Sequence, residues 1–284
     1  MATATASLAP YTATAATIQA NAGFISNNII AFGMVKTADT GQTLPASLPA
    51  FGTTNAFAGY EIFRFNDALQ STAPVYVKIE YGCGPIANGF GVGITVGSST
   101  DGAGNITGVK STRLICGCLA ATATPYTSFI SGGPNGFRIA LSVGSQTASY
   151  FSVCNIERSK DANGVDTGEG VIIQGYPNWS CQFLPFTGTI RAPQFYPVIP
   201  VPQGTASLAD GANIGLVPIL PFGQTGTVYP GNGLMTYYQP DLTALNAISV
   251  TIHGSNHTYM PLGVCVIAAN FSYWPSFSYA MLYE

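Results

Sequence analysis

Histidine, cysteine and carboxylate side chains are the groups with which a β-rich chain would do chemistry, and this sequence holds few of them. Its 284 residues include two histidines, six cysteines and twelve Asp and Glu. His253 and His257 stand four apart across Gly254-Ser255-Asn256. On a helix that spacing would put both imidazoles on one face, but the strand-like flanks and Gly254 favour a turn. Zinc needs a third protein ligand, and no Asp or Glu lies within ten residues, so no metal is assigned. Asp161, Asn163 and Asp166 suggest a calcium loop, yet Val165 occupies the fifth position and no Glu stands at the twelfth. The segment reads instead as a solvated hairpin tip.

The cysteines are Cys83, Cys116, Cys118, Cys154, Cys181 and Cys265. An even count means a disulfide framework only in a short secreted chain. Cys116 and Cys118 fall in the apolar run RLICGCLA without two further metal ligands nearby. They are expected to be reduced, buried and to pack as small apolar groups. A glycosidase would need two convergent carboxylates. Glu61, Asp67, Glu80, Glu157 and Glu169 are available. Glu157 and Glu169 approach each other if residues 150–175 form a hairpin. Arg158 and Lys160 are then their expected partners, in an exposed cluster worth little. No G-x-S-x-G, P-loop, Rossmann fingerprint or H-E-x-x-H is present. The reading is therefore no catalytic residue, no cofactor and no enzyme. Trp179 and Trp274 are the aromatics with which exposed loops would read a sugar, with core packing as their competing role.

Few of these groups lie on elements shaped to converge. At VYVKIEY, Val75, Val77, Ile79 and Tyr81 share one face and Tyr76, Lys78 and Glu80 the other, the alternation of a half-buried strand. In FGVGITVG, Phe90, Val92, Ile94 and Val96 share a face. Gly91, Gly93 and Thr95 form the other, which predicts something lying close over it. Asp101-Gly102 and Gly104-Asn105 mark a reversal. Strands are also expected at 24–35, 60–65, 109–122, 137–144, 148–160, 169–176 and 247–254. Residues 1–23 read as an extended arm, 36–56 and 124–136 as loops, and Asn66 or Asp67 as the cap of one helical turn. Proline crowds residues 177–233, which therefore read as an extended contact or crossover segment rather than central strand. The last twelve residues are dense in aromatics and are expected to be tied into the core or an interface.

Only 7% of residues are charged and 47% are hydrophobic, against about 25% charged in an average domain. Net charge is −3 and pI about 5.3. Disorder and nucleic-acid binding are excluded as leading readings, since nine Lys and Arg are spread thinly. No apolar run reaches membrane-spanning length, and the N-terminus lacks the pattern of a secretory signal. The four N-x-S/T triplets at Asn105, Asn178, Asn256 and Asn270 are then accidental. Such a neutral surface suits a subunit that is buried in an assembly.

Two stretches carry a resemblance. YEIFRFNDALQSTAPVYVKIEYGCG with GVGITVGSSTDGAGNITG, and ASYFSVCNIERSKDANGVDTGEGVIIQGY, resemble a class of tailed-bacteriophage virion structural proteins. The resemblance spans roughly residues 57–176, and its most distinctive item is the E-R-S-K-D run. It brings no catalytic residues. It implies a non-enzymatic subunit of the tail, collar or baseplate. Such a subunit is assembled in the host cytoplasm and located in the virion, with copies of itself and other virion proteins as partners. A capsid decoration protein, or a carbohydrate- or receptor-binding module reading a host surface glycan, is the alternative. Neither nucleic acid nor membrane is expected as a partner. The expected fold is all-β: an antiparallel, jelly-roll-like β-sandwich of residues 57–176, completed by strands in 236–284. An N-terminal arm and loop (1–56) precede it, and the Pro/Gly-rich segment 177–235 interrupts it.

Overall fold

A computed structural model describes residues 2–8, 14–84, 88–111, 113–117, 126–143, 152–161, 163–175, 182–185, 204–207, 213–218, 234–237, 247–252, 255–265 and 277–284. The first part of the chain runs β1 (Ala2–Leu8), α1 (Ala15–Ala31), β2 (Val35–Lys36), β3 (Phe57–Arg64), β4 (Tyr76–Cys83), β5 (Phe90–Thr100), β6 (Ile106–Val109) and β7 (Leu114–Gly117). Next come β8 (Tyr126–Gly133), β9 (Gly136–Val143), β10 (Ser152–Lys160), β11 (Asp166–Gly175) and β12 (Gln182–Pro185). The last are β13 (Gly204–Ser207), β14 (Asn213–Pro218), β15 (Leu234–Tyr237), β16 (Ile248–Ile252), β17 (Ser255–Cys265) and β18 (Phe277–Leu282). The fold is mostly β, in antiparallel sheets with little helix.

Among the described residues the strands form three sheets. The N-terminal sheet has the order β2-β3-β4-β5-β6, with β7 also paired to β5. The central sheet is β1-β8-β9-β10-β11-β12, and the C-terminal sheet β13-β14-β15-β18-β17-β16. Consecutive strands mostly stay in one sheet, as in meanders, whereas a jelly roll passes them back and forth between two. The edge strands β13 and β16 of the C-terminal sheet lie against each other, so that sheet curls upon itself.

The period-2 readings hold in the N-terminal sheet. Val75, Val77, Ile79 and Tyr81 are buried, as are Phe90, Val92, Ile94 and Val96. The face of Gly91 and Gly93 is closely covered, as expected. A Cβ on Gly91 would lie 2.4 Å from the Gly84 Cα, and one on Gly93 would lie 3.0 Å from Arg113 Cδ.

Helix α1 corrects the reading of 1–23 as an arm and 24–35 as a strand. Ile18, Ala22, Ile25 and Ile29 are buried at the 3–4 spacing of one helical face. Thr14 Oγ1 caps the start by accepting from the Thr17 amide at 3.3 Å. Gly33, at φ 97°, ends it in the left-handed conformation that glycine takes without steric cost. Isoleucine's β-branch and the Asn27-Asn28 pair suggested a strand and a turn, but burial of this stripe outweighs both. Ahead of the helix, Ala2–Leu8 is extended as expected and pairs along its whole length with β8.

Strand β8 lies where 124–136 reads as a loop. The turn is confined to Pro134-Asn135, between Gly133 and its partner Gly136. Its glycines made the preceding strand look like loop. Residues 67–73 form successive turns rather than a capped helical turn. The Pro-rich segment contributes strands β12, β13 and β14. Proline is tolerated there at the end of β12, an edge strand, and at the end of β14.

The central sheet is covered on both faces. Ile130, Phe137, Ile139, Leu141, Cys154, Ile156 and Ile172 join the core shared with α1 and the N-terminal sheet. The opposite face holds Phe129, Ser131, Arg138, Asn155, Glu157 and Val171, all buried. It meets the C-terminal sheet. The Phe129 and Tyr283 rings stand edge to face at 5.3 Å, and Ser131 Oγ donates to the Leu282 carbonyl.

Candidate functional site

Part of the charge expected on the outside is found inside. Arg158, on β10, is fully buried. Its Nε donates to Asp67 Oδ2 at 2.6 Å and its Nη2 to Asp67 Oδ1 at 3.0 Å. Nη2 also donates to the Ala73 carbonyl at 2.9 Å, and the guanidinium lies 5.3 Å from the Phe65 ring. One forked cation thus ties the central sheet to the turn that follows β3, with the bidentate geometry that favours Arg over Lys.

The neighbouring Glu157 points to the other face of the same strand. It accepts from Arg138 Nη2 at 3.1 Å and from Asn155 Nδ2 at 2.9 Å. Tyr259, from the C-terminal sheet, closes over this knot. Burial, and then the Glu157 charge, push its phenol well above the ordinary tyrosine range. The exposed cluster expected around Glu157 and Arg158 is therefore corrected. Strand alternation sends the two side chains to opposite faces, and a sheet with both faces covered buries both. Lys160, paired with Asp166, remains at the partly exposed tip.

A third network joins α1 to the N-terminal sheet. Lys36 Nζ donates to Glu61 Oε1 at 2.6 Å, and the Tyr81 hydroxyl donates to Glu61 Oε2 at 2.7 Å. Burial and the Glu61 charge hold the Tyr81 phenol protonated well past its usual range, opposed by a hydrogen bond with Ser26.

The residues singled out for chemistry fare as follows. His257 Nδ1 lies 2.6 Å from Glu284 Oε1, and the Thr258 amide donates to Glu284 Oε2 at 3.1 Å. Sequence proximity could not reveal Glu284, which is 27 residues away. His253 lies outside the described residues. Asp161 Oδ1 accepts from the amides of Asn163 and Val165, each at 2.8 Å, which lowers its pKa and shapes the tip. Asp166 is taken by Lys160 and by Asn135. Among the described residues no three His, Cys, Asp or Glu gather as a metal would require. Cys83, Cys116 and Cys154 are buried free thiols, with Cys83 and Cys154 pushed up in pKa by burial. Cys118, Cys181, Trp179 and Trp274 lie outside the described residues.

A half-open groove of about 310 Å³ runs between the 72–75 turn, β5 and β11. Pro74, Val75 and Val96 make its apolar wall, and Lys110 and Glu169 bring one charge of each sign. Glu157 does not reach it, so the two hairpin carboxylates serve different surroundings. No family model, no curated protein and no solved structure matches this chain.

Proposed function

We propose that this chain is a non-enzymatic structural subunit of a bacteriophage virion, in the tail, collar or baseplate, working through contacts between subunits. The observation that carries the reading is where the charge goes. Arg158, Arg138, Glu157 and Glu61 are all buried: Arg158 ties the central sheet to the turn after β3, while the Arg138–Glu157 and Lys36–Glu61 pairs knit strands within their own sheets. A chain with only 7% charged residues that also buries four of them presents its partners with an exterior poor in charge, made mainly of backbone, hydroxyl and small apolar groups. Contacts of that kind suit a fixed position in a particle. The partners are other copies of the chain and other virion proteins, with neither nucleic acid nor membrane, and the protein resides in the virion after assembly in the host cytoplasm. Among the described residues no helix is long and apolar enough to cross a membrane. In finer architecture we read the N-terminal and central sheets as the two layers of a sandwich.

The test is the mass of the purified protein by light scattering across a salt series. Assembly through neutral contacts should persist to roughly 1 M salt, where the screening length falls to about 3 Å. Dissociation at moderate salt, or a monomer at every concentration, would overturn the reading.

A further inference from the structure

The sheet edges of this chain are not equally protected. Strand β2 has two residues and β6 four. Strand β12 has four and ends in Pro185. Strands β13 and β16 lie against each other. Each is thus too short, closed by proline or covered, the usual ways of blunting an edge. Strand β1 differs. It has seven residues, pairs with β8 without a register shift, and contains neither charge nor proline. Among the described residues no strand pairs with its other side. Every second residue of β1 therefore turns its N–H and C=O toward an open edge.

The pattern Ala2-Thr3-Ala4-Thr5-Ala6-Ser7-Leu8 is also self-complementary. Set antiparallel to itself about Thr5, it places Thr5 opposite Thr5, Ala4 opposite Ala6 and Thr3 opposite Ser7. Ala4 and Ala6 pack on the core, so this pairing would extend the core with small residues. Thr3 and Thr5 are exposed on the other side, where the Thr5 hydroxyl is also hydrogen-bonded to the Tyr283 hydroxyl beside the C-terminal sheet. Hydroxyl pairs of that kind are favoured across strands.

From this juxtaposition we propose that β1 is an interface: it pairs antiparallel with β1 of a second copy, joining two central sheets across a two-fold axis. This rests on the subunit reading above and specifies one of its contacts.

The full-length chain, its Thr5→Lys and Thr5→Glu variants, and an equal mixture of the two variants should be compared by sedimentation. Wild type is expected as a dimer or a higher even-numbered assembly. Each variant sets like charges opposite each other and should raise the dissociation constant about tenfold or more. The mixture, with Lys facing Glu, should restore the assembly. If wild type assembles and both variants match it, the β1 inference falls while the subunit reading stands. If wild type is monomeric throughout, both fall. Should the charged variants fail to fold, Thr5→Cys serves instead. Facing residues in an antiparallel pair have Cα atoms about 4.5–5.5 Å apart, within the range a disulfide spans. Oxidation should give a covalent dimer that wild type does not form. An assembled Thr5→Cys protein that does not cross-link would overturn the proposal.

Discussion

Replacing Asp67 by alanine would strand a guanidinium away from water. Arg158 has no exposed side-chain surface, and Asp67 keeps only 12% of its own. The variant leaves Arg158 with the Ala73 carbonyl and the Phe65 ring as its remaining contacts. Removing one partner of a buried pair costs about 3–5 kcal/mol, because the other charge is left without compensation. A surface pair costs about 0–1 kcal/mol, so the two placements predict separable outcomes. Melting entropy of about 2.1 cal/mol/K per residue gives about 0.6 kcal/mol/K for a chain of this length unfolding as one unit. The expected loss in Tm is then roughly 5–8 °C, read by calorimetry with urea midpoints as a check. An Asp67→Leu/Arg158→Met double variant removes both charges and should recover more than half of the loss. A single-variant cost below about 1 kcal/mol, or a coupling energy near zero in the double-mutant cycle, would refute the argument.

Three further outcomes follow from other sites. Gly91→Ala would drive a Cβ to 2.4 Å from the Gly84 Cα, a backbone atom that cannot step aside. It should cost about 1–3 kcal/mol or more in urea unfolding. Tyr81 and Tyr259 keep their protons above the ordinary tyrosine pKa of 10.0, while the unfolded chain releases them. Stability is therefore complete below pH 10 and falls as pH rises beyond it, by about 1 kcal/mol per pH unit for each phenol. Tyr81→Phe should show a shallower decline between about pH 9 and about pH 11, and an unchanged slope would count against the buried-phenol account. Cys83, Cys116 and Cys154 should react with a thiol reagent only after denaturation, and labelling of any of them in the native state would contradict their burial.

Much of the β structure was legible because alternation is local. Val75 to Tyr81 and Phe90 to Val96 declare their buried faces within seven residues, and the hairpin of β10 and β11 is announced by its polar tip. The helix was legible in principle, through the 4-3-4 spacing of Ile18, Ala22, Ile25 and Ile29 behind Thr14. Residue preference pointed the other way, and a stripe that narrow acquires meaning only once a sheet lies beneath it. Strand β8 was hidden by the glycines of the turn that ends it. The ion pairs could not have been read at all. Arg158 meets Asp67 across 91 residues, and alternation alone does not reveal that both faces of β10 are covered. Treating E-R-S-K as an exposed charged run followed from assuming one solvated face, an assumption that fails for a central sheet.

The pairing of β1 with β8 bears on how the chain is made. Ala2 lies beside Gly132 and Leu8 beside Tyr126, so the first strand must wait for a partner more than a hundred residues downstream. At about 5–20 residues per second, synthesis leaves β1 alone for roughly 6–24 s. In that interval α1 and the N-terminal sheet, whose strands pair with near neighbours in sequence, have time to form. The central sheet is thus finished from its far side, its outermost strand docking onto a surface that did not exist when that strand left the ribosome. On a crowded message the nearest vacant β8 can belong to the chain ahead, and arm exchange between successive copies then competes with closure within each one.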